Sequence, residues 1–336
     1  MTDAYLQRFA GVGRLYGRAG LERLAAASVA VIGLGGVGSW AVEALARSGV
    51  GALTLVDGDD VCVSNTNRQL QALAGNSGRP KAETLRERVL AINPECRVTA
   101  IARFFTAATA DAILGEVGDG SAGNTAGDGV AGDATGAGAG GARFDAVVDA
   151  IDALSNKCQL VAACAARKIF VVSSGGCAGK RDATRVRVTD MVESASDNLL
   201  RFVRKELRRK HGFPRPRSRS GKRPVPFGVP CVWSPEISAG EPSGTCATGS
   251  GQEGVASGRG GVDSGQWSVV SGQAEVGSGQ GAVGSDLPAP LPGTISPKDA
   301  LRPNCEWGYG TACFVSGAFG FAAAGVVINH IVARYR

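Results

Sequence analysis

The sequence predicts an α/β fold in which a Rossmann-like, mainly parallel sheet carries helices on both faces. From Ser28, an apolar segment leads through a glycine-rich turn and a helix-period segment into a second apolar segment that ends at Asp57. This order is that of a βαβ unit. The alternation continues with a predicted helix over 79–93 and a predicted strand over 96–103. Strands that alternate with helices form parallel sheets covered on both faces.

The remaining elements extend this pattern towards the C-terminus. Apolar, β-branched segments predict strands over 144–152, 169–176 and 184–190, and a helix-period segment predicts a helix over 153–168. These elements add strands to the same sheet and a further covering helix.

The C-terminal segment 314–333 is apolar and close to the roughly 20 residues that cross a bilayer. It is rich in glycine and alanine, and it contains Asn329 and His330. Because small residues allow close packing between helices, we predict a helix buried against the core. Association with a membrane through this segment is the alternative.

Half of the 50 glycines lie in two stretches, 115–141 and 240–284. Few large apolar side chains accompany them, so burial cannot offset the entropy of ordering these stretches. We therefore predict two flexible insertions, of which the first covers about 115–142. The predicted organisation is a nucleotide-binding core, a basic region, the second insertion and a C-terminal segment that packs back on the core, over residues 1–190, 191–237, 238–292 and 293–336 in turn.

Charge and cysteine content narrow the class of protein. A formal net charge of +6 is too small to indicate a polyanionic partner without a local cluster of basic residues. The nine cysteines are odd in number, form no CxxC pair and follow no secretion signal. These features predict a cytoplasmic protein without a zinc site.

Four glycines lie between the first strand and the first helix of the βαβ unit, at Gly33, Gly35, Gly36 and Gly38. In such a turn the backbone approaches a phosphate closely, and the amides at the helix N-terminus point towards it. Asp57 ends the next strand, where a carboxylate accepts hydrogen bonds from ribose hydroxyls. These features predict a nucleotide site, and they are equally typical of NAD-dependent oxidoreductases and ATP-dependent enzymes.

Two basic residues favour ATP over a dinucleotide. Arg68 and Lys81 follow Asp57 in a largely polar segment of the chain. Cations stabilise the β and γ phosphates of ATP as the leaving group separates, whereas hydride transfer requires no such clamp. The hypothesis of an NAD-dependent oxidoreductase is therefore disfavoured.

Two carboxylates, Asp149 and Asp152, end a later strand of the predicted sheet. Ligands of open α/β sheets bind at this carboxyl edge. Mg²⁺ binds a small number of carboxylates together with phosphate oxygens, which makes Asp152 a candidate magnesium ligand. The alternative is that Asp152 caps the following helix.

The motifs GLGGVGS, VDGDDV, SNTNRQ, GRPK and DAID occur in this order. Together they resemble the ubiquitin-activating-enzyme-like, ThiF-type superfamily. Within it, RLYG at residues 14–17, INPECRVT and CVWSPE are similar to the tRNA threonylcarbamoyladenosine dehydratases. The resemblance covers nearly all of the chain outside the two predicted insertions.

This resemblance implies a homodimer that binds ATP and magnesium. It implies that the enzyme activates the carboxylate of threonylcarbamoyladenosine beside the tRNA anticodon, so that the side chain cyclises with loss of water. An arginine from one subunit is implied to reach the phosphates bound by the other, with Arg14 preferred over Arg8. Sulfur-relay partners such as a cysteine desulfurase are implied by the resemblance alone. The implied nucleotide site comprises Gly35, Gly36, Asp57, Asp59, Asn65, Arg68, Lys81 and Asp152.

Cys231 stands where the resemblance places a family cysteine. A covalent or sulfur-handling role follows if the thiol is accessible and activated. The alternative is an inert packing residue, because no base is recognisable beside it in the sequence.

A basic cluster occupies residues 201–223, where eleven lysines and arginines accompany one acid, Glu206. Such a stripe contacts phosphates and gives affinity for RNA with little base selectivity. The alternative is a solvated basic face. We predict that this cluster binds tRNA through Arg204, Arg208, Arg209, Arg217 and Arg219.

Two other functions remain open at this point. An adenylyltransferase that activates the C-terminal glycine of a ubiquitin-like sulfur carrier would share the nucleotide site, but the paired zinc cysteines of those enzymes are absent from this sequence. A non-catalytic tRNA-binding protein would share the fold, but it would not require a phosphate clamp.

Overall fold

The computed structural model describes residues 1–115, 144–215, 224–237 and 310–333. Their strands are β1 (Ser28–Ile32), β2 (Ala52–Val56), β3 (Arg97–Ile101), β4 (Ala146–Asp149), β5 (Phe170–Ser174), β6 (Arg187–Asp190) and β7 (Pro230–Trp233). They form one sheet in the order β3-β2-β1-β4-β5-β7-β6. Every neighbouring pair is parallel except β7 and β6. The predicted Rossmann-like sheet is confirmed, and the last strand predicted from the sequence forms its antiparallel edge.

The helices of the described residues are α1 (Asp3–Arg8), α2 (Ala10–Ala26), α3 (Gly36–Arg47), α4 (Lys81–Ile92), α5 (Ala110–Leu114), α6 (Leu154–Ala166), α7 (Asn198–Lys210) and α8 (Cys313–Ala333). Gly17, with a φ of 76°, interrupts α2. Pro80 stands just before α4, where its fixed φ suits a helix start and its missing N–H removes no helical hydrogen bond. Each predicted helix is therefore present, with its ends within a few residues of the prediction.

The sheet separates two apolar cores because alternate residues of each strand point to opposite faces. Val29 and Val31 of β1 point towards the core that α3, α4 and α8 cover. Ala30 and Ile32 point towards the core that α5, α6 and α7 cover. Helices therefore cover both faces, as the sequence predicts.

Helix α8 packs on α3 and has the buried inner face expected of a core helix. Phe319, Ala323 and Val327 are inaccessible to solvent. A Cβ built on Gly320 would lie 2.5 Å from the carbonyl oxygen of Val37, so a glycine is required for this approach. By length and composition α8 is also the one candidate membrane span among the described residues, although 56% of its apolar window is buried within the protein. This packing supports the interpretation of α8 as a core helix.

Residues on both sides of the predicted domain boundaries belong to one sheet. Strand β7 pairs with β5 and β6, and α7 packs on α6. All described residues fall in one compact unit, Met1–Gly240 with Tyr309–Arg336. The basic region 191–237 thus shares the core of residues 1–190. Most of the first predicted insertion and all of the second lie outside the described residues.

Candidate functional site

The glycine-rich turn between β1 and α3 has a backbone that only glycine adopts readily. Gly33 has a φ of 88°, and a Cβ built on it would lie 2.7 Å from the carbonyl oxygen of Ala150. A Cβ on Gly38 would lie 1.8 Å from the carbonyl oxygen of Gly33. These two glycines bring β1, α3 and the end of β4 together.

The other two glycines stand at the start of α3, where a phosphate is expected. The nearest side-chain atom to a Cβ built on Gly35 is the amide nitrogen of Gln69, at 3.9 Å. No side chain caps α3 at Gly35, so its first amides are not satisfied by a capping side chain. A Cβ on Gly36 would lie 3.2 Å from Cβ of Ser316. This open helix N-terminus is suited to an anion.

Asp57 fixes the turn from the end of β2. Its two carboxylate oxygens accept hydrogen bonds from the backbone N–H of Leu34 at 2.6 Å and from that of Asp59 at 2.9 Å. Burial raises the pKa of Asp57, while the charge of Lys81 and the two amides oppose this rise. Since each oxygen accepts one of these bonds, each retains a lone pair with which it can accept from a ribose hydroxyl.

Lys81 is the first residue of α4 and reaches back towards the end of β2. Its ammonium group donates to the Asp59 carboxylate at 2.8 Å, and its backbone N–H donates to the Asp59 carbonyl at 3.1 Å. Lys81 is 5% exposed. The structure therefore brings Asp57, Asp59 and Lys81 together beside the glycine-rich turn.

Arg68 follows a short 3₁₀ turn at Val63–Asn65. Its guanidinium donates to the Ser64 carbonyl at 2.9 Å and to the Asn67 side-chain oxygen at 3.1 Å. A Cβ on Gly36 would lie 3.5 Å from Cγ of Arg68, so the arginine stem passes the start of α3. Asn65 is buried, and its side-chain oxygen accepts from the backbone N–H of Cys62 at 3.1 Å, which closes the turn that carries Arg68.

Asp152 is exposed in the loop between β4 and α6. The N-cap residue of α6 is Ala153, so the alternative of helix capping by Asp152 does not match the structure. Asp149 is buried and paired with Lys157, so of these two carboxylates after β4 Asp152 is the accessible one. The described residues contain no group of three or more acidic, histidine or cysteine side chains that could hold a metal by themselves. One carboxylate still fits Mg²⁺, because phosphate oxygens and water complete its coordination.

The two candidate cross-subunit arginines lie on the N-terminal helices, and Arg8 stands apart from this turn within one chain. Arg8 lines a surface cleft with Arg47 and Arg88. Arg47 ends α3, and a 12-residue helix is about 18 Å long, so Arg8 lies far from the helix start. Arg14 is exposed on α2.

Cys231 lies on β7, between β5 and the edge strand β6, and is inaccessible to solvent. Burial raises the pKa of its thiol to about 12, although a hydrogen bond with Ser194 and the charge of Arg204 act in the other direction. At neutral pH the thiol is therefore protonated and shielded. This environment favours the packing interpretation over the catalytic one.

The structure corrects part of the predicted RNA-binding set. Arg204 is 9% exposed, and its guanidinium donates to the Ser194 carbonyl at 2.7 Å and to the Met191 carbonyl at 3.3 Å. A side chain used in this way cannot reach a phosphate, so the prediction for Arg204 is wrong. Arg217 and Arg219 lie outside the described residues.

Other basic residues of α7 form an exposed face of the helix. Arg209 is exposed and pairs with Glu206 at 2.9 Å. Arg208 is partly buried, because it donates to the Pro214 carbonyl at 3.0 Å and lies over the ring of Phe227. Sequence reasoning does not single out Arg201 and Lys205, which are also exposed on α7.

Comparison with known proteins identifies the family. The sequence profile of the ThiF family matches residues 7–209, which is more than half of the chain. This chain belongs to the ThiF family.

Relatives of this ThiF-family protein match it over nearly its whole length. It is 34% identical over 336 residues to the tRNA threonylcarbamoyladenosine dehydratase of Escherichia coli K12, covering 99% of this chain and 97% of the relative. It is 39% identical over 252 residues to the Haemophilus influenzae protein of the same name, covering 74% and 87%. The resemblance predicted from the motifs is therefore confirmed.

Solved structures of a tRNA threonylcarbamoyladenosine dehydratase also match this ThiF-family protein over nearly its whole length. The crystal structures of E. coli tRNA N6-threonylcarbamoyladenosine dehydratase, TcdA, in complex with AMP and with ATP superpose with TM-scores of 0.68 and 0.67. Both are 32% identical to this chain, and the match covers 99% of this chain and 97% of theirs. By contrast, the E. coli sulfur carrier protein ThiS adenylyltransferase is 32% identical over only 44% of this chain.

Two amides of this ThiF-family site are not predicted from the sequence. Gln71 is 3% exposed, and its side chain donates to the carbonyl oxygen of Leu34 at 2.8 Å. Asn67 donates to the carbonyl oxygen of Thr311 at 2.8 Å, which joins the Arg68 loop to the residues before α8. Both contacts bridge distant parts of the chain, so no local pattern signals them.

Proposed function

We propose that this protein is an ATP-dependent tRNA threonylcarbamoyladenosine dehydratase. The observation that carries the proposal is the whole-length similarity to the E. coli enzyme of that name. The geometry supports it, because an uncapped helix N-terminus, a ribose-accepting carboxylate and two cations lie together at the carboxyl edge of the sheet.

The proposed reaction activates a carboxylate and then closes a ring. A carboxylate oxygen of the threonylcarbamoyl group attacks a phosphorus atom of ATP, which forms an acyl–phosphorus anhydride and expels pyrophosphate or ADP, according to which phosphorus is attacked. A nucleophile in the same side chain then attacks the acyl carbon and loses its proton. The leaving AMP or phosphate carries away the carboxylate oxygen, so the nucleoside loses one water and one ATP is consumed.

The chain's own residues supply the stabilisation that this chemistry requires. Amides at the start of α3 bind phosphate oxygens, and Asp57 accepts from the ribose. Lys81 and Arg68 stabilise the charge that grows on the phosphates as the leaving group departs. The ring-closing nucleophile is already tethered to the acyl carbon, so it requires orientation rather than an enzyme nucleophile. The buried, protonated Cys231 is consistent with this requirement.

Asp152 is the residue that would hold magnesium in this proposal. Its exposed carboxylate follows β4, at the sheet edge where the glycine-rich turn begins. When bound, Mg²⁺ would neutralise phosphate charge and orient the phosphates for in-line attack. Asp152 contributes a single hard oxygen ligand, in keeping with the partial hydration that Mg²⁺ retains in proteins.

The proposed partners are tRNA and a second copy of the chain. Arg201, Lys205 and Arg209 lie on the exposed face of α7, where they can contact tRNA phosphates, with Arg208 beside them. In a homodimer Arg14 would serve the nucleotide site of the other subunit, with Arg8 as the alternative. A cysteine desulfurase or other sulfur-relay partner remains an expectation from the family.

Mass spectrometry of tRNA nucleosides tests the proposed function. The purified protein is incubated with ATP, Mg²⁺ and tRNA that contains threonylcarbamoyladenosine, and the nucleosides are then analysed. We expect loss of one water from that nucleoside, dependent on ATP and abolished by Lys81→Ala. Arg86→Ala, which removes an exposed arginine from the same helix, is the matched control and should retain activity.

Two outcomes would contradict the dehydratase assignment. An unchanged nucleoside together with ATP–pyrophosphate exchange stimulated by a small ubiquitin-like carrier would assign the protein to the sulfur-carrier adenylyltransferases. Binding of tRNA without any ATP turnover would support the non-catalytic alternative.

A further inference from the structure

A fully buried ion pair includes Asp149, three residues before the candidate magnesium ligand Asp152. The ammonium group of Lys157 donates to Oδ2 of Asp149 at 2.8 Å, and the Ser173 hydroxyl donates to the same oxygen at 2.6 Å. Both charged side chains have 0% exposure. Of the ion pairs found in the described ranges, this is the one in which neither side chain reaches solvent.

Stability alone gives a weak reason for such a pair. Removing two charges from water costs about as much as their attraction returns, and an apolar pair of similar volume often serves the fold equally well. Lys157 lies on α6 among apolar residues of the second core, where a methionine would fit the same space. A geometric role explains the pair better than a contribution to stability does.

The second oxygen of Asp149 shows that role. Oδ1 accepts from the backbone N–H of Ile151 at 3.2 Å, which fixes the peptide just before Asp152. The preceding N–H, of Ala150, donates to the carbonyl oxygen of Ile32 at 2.9 Å. The segment that carries Asp152 is thus fixed from both sides, by β1 and by the Asp149 carboxylate.

The glycine-rich turn packs against the same segment. A Cβ on Gly33 would lie 2.7 Å from the carbonyl oxygen of Ala150, so the turn and the segment before Asp152 constrain each other. The turn itself is also held from β2, because the Gly33 N–H donates to the Val56 carbonyl at 2.9 Å and the Leu34 N–H donates to Asp57. A rotation of the Asp149 carboxylate would therefore shift mainly the peptide that orients Asp152. Lys157 and Ser173 prevent that rotation by occupying Oδ2.

We propose that Asp149, fixed by Lys157 and Ser173, is a positioning residue that orients Asp152 towards the metal ion of bound Mg·ATP. Asp149 itself touches neither nucleotide nor metal. The proposal rests on the proposed function only for the presence of a Mg·ATP site. It makes no use of tRNA.

Two double variants that differ at one side chain test the proposal. Asp149→Leu with Lys157→Met removes both charges and the acceptor for the Ile151 N–H. Asp149→Asn with Lys157→Met also removes both charges but keeps a carbonyl oxygen for that N–H. Isothermal titration of the full-length protein with ATP, once with excess EDTA and once with Mg²⁺, gives the gain in affinity that the metal provides.

We expect the Asp149→Leu/Lys157→Met (Leu–Met) variant to bind metal-free ATP within about twofold of the wild type. The gain in ATP affinity that Mg²⁺ provides should be about tenfold smaller than in the wild type, a typical effect of removing a residue that orients a metal ligand. The Asn–Met variant should recover most of this gain. Asp152→Ala should match the Leu–Met variant. Ser174→Ala, which removes a buried hydroxyl from the neighbouring position of β5, should leave the gain unchanged.

Thermal unfolding shows which variants retain the fold. If the Leu–Met variant does not fold, Ser173→Ala takes its place in the test. This substitution removes one of the two donors to Oδ2 of Asp149 without leaving a buried charge unpaired. It should reduce the magnesium-dependent gain in ATP affinity by less than the double variant does. An unchanged magnesium-dependent gain in a folded variant would overturn the proposal. Absence of such a gain in the wild type would also overturn it, whereas absence of tRNA dehydration would overturn only the proposed function.

Discussion

The ammonium group of Lys81 lies 2.8 Å from the carboxylate of Asp59, where the start of α4 meets the end of β2. Lys81 is almost completely buried, whereas the Asp59 side chain is 54% exposed. The lysine is therefore held by the protein interior, whereas its partner is accessible to solvent. A phosphate can replace Asp59 as the partner of Lys81 without any movement of α4.

Substitution of Lys81 should have a much larger effect than substitution of Asp59. Lys81→Met removes a charge that stabilises the transition state, and a loss of about 10²–10³-fold in kcat is typical for such a donor. Asp59→Asn keeps an acceptor for Lys81 and should cost less than about tenfold. Steady-state ATP turnover in the presence of substrate tRNA measures both. Equal losses in the two variants would mean that Asp59 itself contacts the nucleotide.

A methyl group on Gly33 should destabilise the protein more than one on Gly75. The two glycines have nearly the same φ, 88° and 87°, but only Gly33 has backbone atoms within 3 Å of an added Cβ. Gly75→Ala should therefore lower the free energy of unfolding by about 1–3 kcal/mol, the cost of a left-handed non-glycine residue. Gly33→Ala should lower it further and weaken ATP binding. Urea denaturation and nucleotide titration give the two quantities, and similar losses in both variants would contradict this interpretation of the turn.

Cys231 should resist thiol reagents in the folded protein. Its pKa of about 12 leaves almost no thiolate at pH 8, and its side chain is inaccessible, whereas Cys62 and Cys313 are exposed. Because burial raises this pKa, reactivity should increase only as the pH rises towards 12 or as the protein unfolds. Peptide mapping after brief treatment with N-ethylmaleimide at pH 8 should show label on Cys62 and Cys313 before Cys231.

A Cys231→Ala variant completes this test. It should retain dehydratase activity within a few-fold, because ring closure requires no enzyme nucleophile. Rapid labelling of Cys231 in the native protein, or loss of activity in a stably folded alanine variant, would restore the catalytic interpretation.

The exposed face of α7 should account for part of the salt dependence of tRNA binding. Replacing Arg201, Lys205 and Arg209 together by glutamine should weaken binding and lower the slope of log Kd against log salt by about one for each phosphate that is no longer neutralised. Arg86→Gln, on the opposite side of the sheet, is the control. Arg204→Gln should instead lower thermal stability, since Arg204 donates to buried carbonyls. Binding and slope that do not change in the triple variant would place the tRNA elsewhere.

The parts of the fold that depend on local patterns could be predicted from the sequence. Gly33 and Gly38 are predictable because a βαβ turn demands a backbone that only glycine adopts, and this demand is visible within six residues. The order of strands and helices follows from alternating apolar periods, which are also local. Lys81 and Arg68 require a chemical argument about phosphate charge, and the structure brings both to the turn.

The failures arise where packing decides the role of a charged residue. The charge of Arg204 predicts a contact with RNA, yet this residue stands at helical spacing from Leu200 and Leu207, on the stripe that faces the core. The partnership of Lys157 with Asp149 has no local signal, because the second element, α6, must fold over the sheet before the two residues meet. The contacts of Gln71 with Leu34 and of Asn67 with Thr311 escape prediction for the same reason.

The position of α8 places a condition on when the protein can become active during its synthesis. This helix is made after β7, yet Ser316 packs against Gly36 and Asn67 donates to Thr311, so the walls of the nucleotide site include the start of α8. A nascent chain that has emerged from the ribosome only as far as β7 leaves one apolar face of α3 uncovered. ATP binding should therefore begin only after α8 has emerged and packed, and until then the exposed face of α3 is the surface that a chaperone would recognise.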